Sequence, residues 1–443
     1  MKKIFLLIAI AASTAVMAQT KPKIYLNAGH GSWGPDDRPM ATHPYPMLPE
    51  TGRPDTCGFY ESNTNMWKVY EMNIILGKHG FQTKLSRKRN GPFPWKKGAV
   101  TETLYNRPLA EIAAEVDNYR ADYFFSVHSN AAADGALANY PLFLYRGTDT
   151  QEGVTNSRLM CEQMWPFHVE AMKAGFEFMS SYTTTMNVRG DRSFYNYTWI
   201  NDYGYYGYLG VLMHGRPGYL VEGYFHTYQP SRHRALNQDW CRMEGRRYAR
   251  GIIDYFKKTP ETTGSIMGDV RCKSQSTSDL NYYKSTGNDA YMPCNGATVR
   301  LRNADNVEIA RYKVDNNYNG IFVFNDLEPG TYYVDLYCPG YSTQQGKKFT
   351  NKHIVKANAT SYKNHYLLVG TASPLEELTA IERINADEPE ASFNSVLIDV
   401  YDMAGHHVAS TTRQELESLG LPNGVYTLKG NNGKAIKYLI NNK

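Results

Sequence analysis

Apolar and polar positions along residues 21–258 switch between two periods. Lys23–Ala28 is a short apolar run ending in Gly29-His30, which reads as a buried strand. From Glu61 to His79, Met66, Val69, Ile74 and Leu76 are compatible with helical spacing, and Gly80 closes the pattern. Phe81–Leu85 reads as a second strand. Leu104, Leu109, Ile112, Ala113 and Val116 return to the helical period, and Tyr123–Val127 and Tyr219–Phe225 are further buried strands. Ser231 is placed to cap a last helix reaching about Phe256. This alternation predicts an α/β domain: a mixed, mostly parallel sheet with helices on both faces.

After residue 258 the pattern changes. Lys257–Ser265 is polar with Pro and Gly and reads as a linker. Ala297–Leu301, Glu308–Val314, Ile321–Phe324 and Thr331–Tyr337 are short strands between turn residues, predicting a β-sandwich over 264–369. A second, acidic linker (370–391) precedes a last β-rich segment, 392–443, taken as another small β-sandwich. At the other end, Lys2 and Lys3 precede an apolar run from Ile4 to about Val16, closed by Val16-Met17-Ala18. A basic start, about a dozen apolar residues and a small exit residue read as a signal peptide over 1–18. The run is too short for a bilayer, which needs about 20 residues. No Cys follows the cleavage site to carry a lipid anchor. The expectation is an exported protein without a transmembrane segment, in the periplasm, at the cell surface or secreted.

Composition narrows the classes. With 42% apolar and 21% charged residues in 443, neither a disordered chain nor a multi-span membrane protein fits. A net charge of +5, two units of which leave with the leader, is too weak to imply a nucleic-acid partner. Cys57, Cys161, Cys241, Cys272, Cys294 and Cys338 lack close CxxC spacing, so a zinc–thiolate site is not expected. Export permits disulfides, and the choice between buried thiols and one to three bridges stays open. Tyrosine is in excess, 35 against 17 Phe. It is dense in Phe194, Tyr195, Tyr197, Trp199, Tyr203, Tyr205, Tyr206 and Tyr208, a stretch (194–208) suited to stacking on sugar rings or to packing its own loop.

Four short motifs carry candidate chemistry. Gly29-His30-Gly31 puts a histidine just past the first strand, and Gly58-Phe59-Tyr60-Glu61 a carboxylate at a helix start. Ser126-Val127-His128-Ser129-Asn130-Ala131 puts a second histidine at a strand end, and Leu220-Val221-Glu222-Gly223 a glutamate in an apolar strand. In α/β sheets, sites form at the carboxyl ends of strands, where both histidines fall. Two His and one Glu are a common catalytic zinc set that leaves a position for water. A further carboxylate is then needed to take the water proton and pass it to a leaving amine; Glu222 is the candidate, with burial raising its pKa. Singly, each motif has a plainer reading: a turn or core histidine, or a Glu61 that favours a helix dipole. A buried unpaired carboxylate is harder to dismiss, since it costs several kcal/mol. His43, His214 and His226 are further candidate ligands, with loop or surface roles as the simpler reading.

On these motifs, residues 21–258 resemble the zinc-dependent N-acetylmuramoyl-L-alanine amidases of the family 3 type. Gly29-His30-Gly31, Glu61 before a long helix, Leu85-Ser86-Arg87, Leu104-Tyr105-Asn106-Arg107, Ser126–Ala131 and Leu220–Phe225 match that family's order. The resemblance implies His30, Glu61 and His128 as Zn²⁺ ligands, Glu222 as catalytic acid/base, and peptidoglycan or muropeptides as substrate. It also implies that the bond cut is the amide between the lactyl group of N-acetylmuramic acid and L-alanine. The stretches His30–Glu61 and His128–Glu222 are long for the family, so inserted loops are expected to wall the cleft.

Residues 264–369 resemble carboxypeptidase-regulatory or transthyretin-like sandwiches, through Gly268-Asp269-Val270, Gly296–Val299, Gly320–Phe324 and Leu327–Tyr333. Residues 392–443 are similar to the C-terminal sorting domains of type IX secretion cargo in Bacteroidetes, through Val400–Gly405 and Leu421–Tyr426. Two other functions compete with the amidase. One is a carbohydrate-active enzyme such as a polysaccharide lyase, which would use the aromatic stretch and need no zinc. The other is a non-catalytic cell-wall or glycan-binding protein that keeps the fold.

Overall fold

The computed structural model describes residues 20–31, 59–88, 107–132, 136–177, 186–195, 209–280, 284–343, 351–371, 397–402, 407–412, 416, 421, 424–430 and 435–440. The leader, His43, Cys57, Leu104 and residues 196–208 of the aromatic stretch lie outside them.

Strands β1 (Lys23–Ala28), β2 (Gln82–Leu85), β3 (Tyr123–Asn130), β4 (Leu142–Tyr145), β5 (Val188–Gly190) and β6 (Gly218–Phe225) form one sheet, in the order β2-β1-β3-β6-β4-β5. Every pairing is parallel except β4 with β6. Helices α1 (Glu61–Lys78), α2 (Leu109–Tyr119), α3 (Ser157–His168), α4 (Gln229–Ala235) and α5 (Gln238–Tyr255) accompany it. The pleat sends alternate residues to opposite faces. Ile24, Leu26, Phe125 and Val127 meet α1, α3 and α5 through Val69, Met160 and Ile252. Tyr25, Phe124 and Leu220 meet α2 through Ile112 and Val116. The domain is therefore mixed α/β with a mostly parallel, doubly covered sheet.

The chain departs from its local pattern in three places. The single last helix is two, because Asn237 Oδ1 accepts from the Trp240 amide (2.9 Å) and caps a new helix start; Ser231 lies buried inside the first. Strands β4 and β5 have four and three residues, too few to show a period. Helix α3 carries Pro166 in its interior, which blurs its pattern.

Two further β units follow. Strands β7 (Gly264–Ser276), β8 (Tyr291–Pro293), β9 (Thr298–Asn303), β10 (Glu308–Lys313), β11 (Ile321–Leu327), β12 (Gly330–Tyr337), β13 (Tyr341–Thr343), β14 (Lys352–Val355) and β15 (Thr360–Val369) form two sheets around one core. One sheet runs β8-β7-β15-β13, with β11 also on β7; the other runs β10-β9-β12-β14. Strands β16 (Leu397–Tyr401), β17 (His407–Thr412), β18 (Gly424–Gly430) and β19 (Ala435–Ile440) make an antiparallel sheet, β17-β16-β18-β19.

The first β unit shares a core with the α/β domain. Phe59, Phe176, Tyr224 and Trp240 pack with Met267, Ile321, Val323 and Tyr362. Buried arginines of α4 and α5 reach across the same seam: Arg234 to Asp289, Arg247 to the Tyr362 hydroxyl (3.1 Å) and Arg250 to Thr360 Oγ1 (2.9 Å). Arg246 and Arg250 also clamp Glu261, inside the polar stretch that reads as a linker. Among the described residues no helix is long and apolar enough to cross a membrane.

Candidate metal centre

The site lies at the carboxyl ends of β1, β3 and β6. β1 delivers His30 through a turn in which His30 itself has φ 60°. Gly29 is required there, since a Cβ on it would sit 2.2 Å from the His128 ring. The Arg87 guanidinium fixes the turn. It donates to the carbonyls of Ala28, His30, Gly29 (3.2 Å) and, on helix α1, Ser62 (3.1 Å). β3 and β6 pair in register with His128 opposite Glu222, so both side chains project from one face of the sheet.

Glu61, the first residue of α1, is the hub. Its Oε2 is 3.1 Å from His30 Nε2, and its Oε1 3.3 Å from His128 Nδ1. The ligand atoms of His30, Glu61 and His128 all lie within 4.8 Å of one another, and this group could hold a metal ion. Glu61 Oε1 also accepts from the Ser129 amide (2.8 Å) and from Asn65 Nδ2 (3.4 Å), which aims the carboxylate. Burial alone would raise the Glu61 carboxyl, but the imidazoles of His30, His128 and His226 take it well below the usual range. Burial pushes His128 down, toward the neutral form that ligates metal.

The donor set fits a borderline divalent ion such as zinc: two imidazoles and one carboxylate, with no thiolate. The two imidazole side chains are 25% and 17% exposed while Glu61 is sealed, so the group opens toward solvent. Glu222 stands beside it, not in it. Its Oε2 is buried without a hydrogen-bond partner. Burial first, then the Glu61 charge, pushes its carboxyl up to about 8. The four residues singled out from sequence thus meet in one place.

The other histidines separate. His214 is a core residue, its ring against Phe124 at 4.4 Å and its Nδ1 accepting from the Arg216 amide, and it is not part of the His30–Glu61–His128 group. His226 approaches without joining the group: its Nδ1 is 2.9 Å from Ser129 Oγ and 3.8 Å from Glu61 Oε2, and its ring stacks on Phe59. Of the aromatic stretch, Phe194 and Tyr195 pack on the core between the sheet and α2, the packing reading for those two.

Beneath the site lies a pair that the sequence did not announce. Lys68 of α1 and Glu244 of α5, both fully buried, are 3.1 Å apart. Glu244 Oε1 also accepts from the Tyr248 hydroxyl (2.7 Å) and lies where a Cβ on Gly223 would be, 2.1 Å away. Gly223 therefore lets this buried charge sit directly under the residue next to Glu222.

No protein-family model matches the chain, and no curated protein does. Solved structures similar to it are N-acetylmuramoyl-L-alanine amidases. The catalytic domain of CwlV from Bacillus (Paenibacillus) polymyxa var. colistinus is 15% identical, with TM-score 0.36 over 54% of this chain and 99% of that one. The enzyme from Clostridium difficile 630 is 17% identical, with TM-score 0.35 over 54% and 97%. AmiC2 of Nostoc punctiforme is 18% identical, with TM-score 0.34 over 54% and 98%. Likeness at this level carries no weight for the chemistry, which rests on the side chains of the site itself.

Proposed function

We propose that this chain is an exported zinc-dependent N-acetylmuramoyl-L-alanine amidase. The observation that carries the reading is the convergence of His30, Glu61 and His128 with Glu222, whose Oε2 is buried without a hydrogen-bond partner, in register beside His128. The motif order that resembles the family 3 amidases supplies the substrate: peptidoglycan or muropeptides.

His30, Glu61 and His128 would hold the ion, and Arg87, Ser129 and Asn65 keep them aimed. A zinc ion bound there supplies a Lewis acid that polarises the scissile carbonyl and acidifies water. Glu222 accepts the proton of the attacking water at its carboxylate and hands it to the departing alanine nitrogen. A carboxyl whose proton affinity is raised toward neutrality suits this two-way task. The lactyl carboxylate and the free peptide amine are the products.

The test is incubation with muropeptides, followed by mass spectrometry. Free stem peptide and peptide-free glycan are expected, lost on chelation and restored by zinc. Unsaturated sugar products that survive chelation would establish the lyase reading instead. Bound zinc with unchanged muropeptides would establish a binding protein.

A further inference from the structure

The sequence leaves the pairing of six cysteines open, and the structure separates the described ones by place. Cys161 lies in the main core of the α/β domain and Cys241 in the seam core. Cys272, Cys294 and Cys338 share the core of the first β unit and are 0%, 1% and 2% exposed. We infer that Cys294 and Cys338 are the sites of a disulfide that staples the two sheets of this unit together.

Cys294 directly follows β8, in one sheet, and Cys338 directly follows β12, in the other. Both are free thiols in this structure, placed close enough to act on each other's ionisation. Cys338 Sγ also contacts the carbonyl of Asn295, at 3.6 Å, so its side chain rests on the residue next to Cys294. The backbone on both sides is tied down: the Cys294 amide donates to Val270, and the Cys338 carbonyl accepts from Tyr341. A disulfide asks for Cα atoms about 4.4–6.8 Å apart, a spacing open to neighbours within one core. Cys272 is the neighbour left over. It sits opposite Met292, next to Cys294's own strand, and its Sγ contacts Ser274 Oγ at 3.2 Å.

Both thiols are sealed in the finished fold, so the bond forms while the unit is closing. The co-reactant is an oxidised thiol–disulfide carrier, of the kind that an exported chain meets outside the cytosol. The Cys338 thiolate attacks a carrier sulfur and gives a mixed disulfide; Cys294 then displaces the carrier. The two protein thiols are oxidised by two electrons, and the carrier disulfide is reduced to two thiols that take the two protons.

The full chain, refolded in an oxidised/reduced glutathione buffer, tests this without depending on the leader or on the amidase activity. The protein is unfolded in an alkylating reagent without reductant, digested and mapped by mass spectrometry. A peptide pair joined through Cys294 and Cys338, with Cys272 alkylated, is expected; it disappears on reduction and persists in Cys272→Ser. Reduction of the folded protein is expected to lower its Tm by about 5 °C, and Cys294→Ser with Cys338→Ser to lower it equally. Full alkylation of both thiols, or a bond from either to Cys272 or Cys57, overturns the inference.

Discussion

Among the described residues, two pairs of histidines lie close together, and one of them shares a carboxylate in a group that could hold a metal. In the α/β domain, His30 and His128 have ring centroids 5.2 Å apart and share a buried carboxylate, Glu61, while their own rings open to solvent. In the first β unit, His353 and His365 stack at 5.3 Å with their Nε2 atoms 3.1 Å apart, and both are fully buried. One Nε2 of that pair must carry a proton and the other accept it, so the two Nε2 atoms satisfy each other. His353 Nδ1 lies 3.0 Å from Ser361 Oγ, and the His365 ring faces Phe322. Among the described residues, no carboxylate completes a ligand group with them. Proximity of imidazoles is therefore not the signature of a site; the shared acid and the open side are.

Removing members of each pair should break this comparison most sharply. His30→Ala or His128→Ala should lose bound zinc and with it muropeptide cleavage, by a factor of about 10³ or more, whereas His353→Ala should leave zinc content intact and lower Tm. Elemental analysis beside calorimetry reads both. Glu222→Gln should keep stoichiometric zinc but cut kcat by about 10²–10⁴. Wild-type turnover in that variant would remove Glu222 from the chemistry.

Next in size is the buried pair under the site. Glu244→Gln leaves Lys68 charged without its partner, and chemical denaturation should show a loss of about 3–5 kcal/mol. A smaller effect is expected from Gly29→Ala. Its Cβ would displace the His128 ring, so zinc affinity should fall about 10–100-fold while the fold persists. Competition with a chromogenic chelator measures that.

The gentlest contrast is in pH. Burial, then the Lys363 charge, holds His353 at about 3 against an ordinary 6.5, and the fold prefers its neutral form. Stability from this residue is complete above 6.5 and is lost as pH falls toward 3. Glu222 has the opposite sign. Its carboxyl is raised from 4.5 to about 8, so in metal-free protein its contribution is complete below 4.5 and is lost as pH rises through 8. Glu222→Gln should abolish the alkaline decline of the chelated protein and leave the acidic one. An unchanged alkaline limb would contradict the burial of that carboxyl.

The sequence by itself determined the strands that carry or lead into His30, His128 and Glu222, the helix that starts at Glu61, and the residue types of the candidate ligand set. These are local: apolar runs of period two, a helical stripe, and polar residues at their ends. Tertiary structure alone decided which other residues serve them. Arg87 braces the His30 turn, Ser129 and His226 attend Glu61, and the Lys68–Glu244 pair rests under Gly223. Phe59 and Tyr224, each two residues from a site glutamate, find part of their packing on the first β unit, at Met267, Ile321, Val323 and Tyr362. Such pairings join residues far apart in the chain through burial and complementary charge, and no period in a local window encodes which distant element arrives to make them.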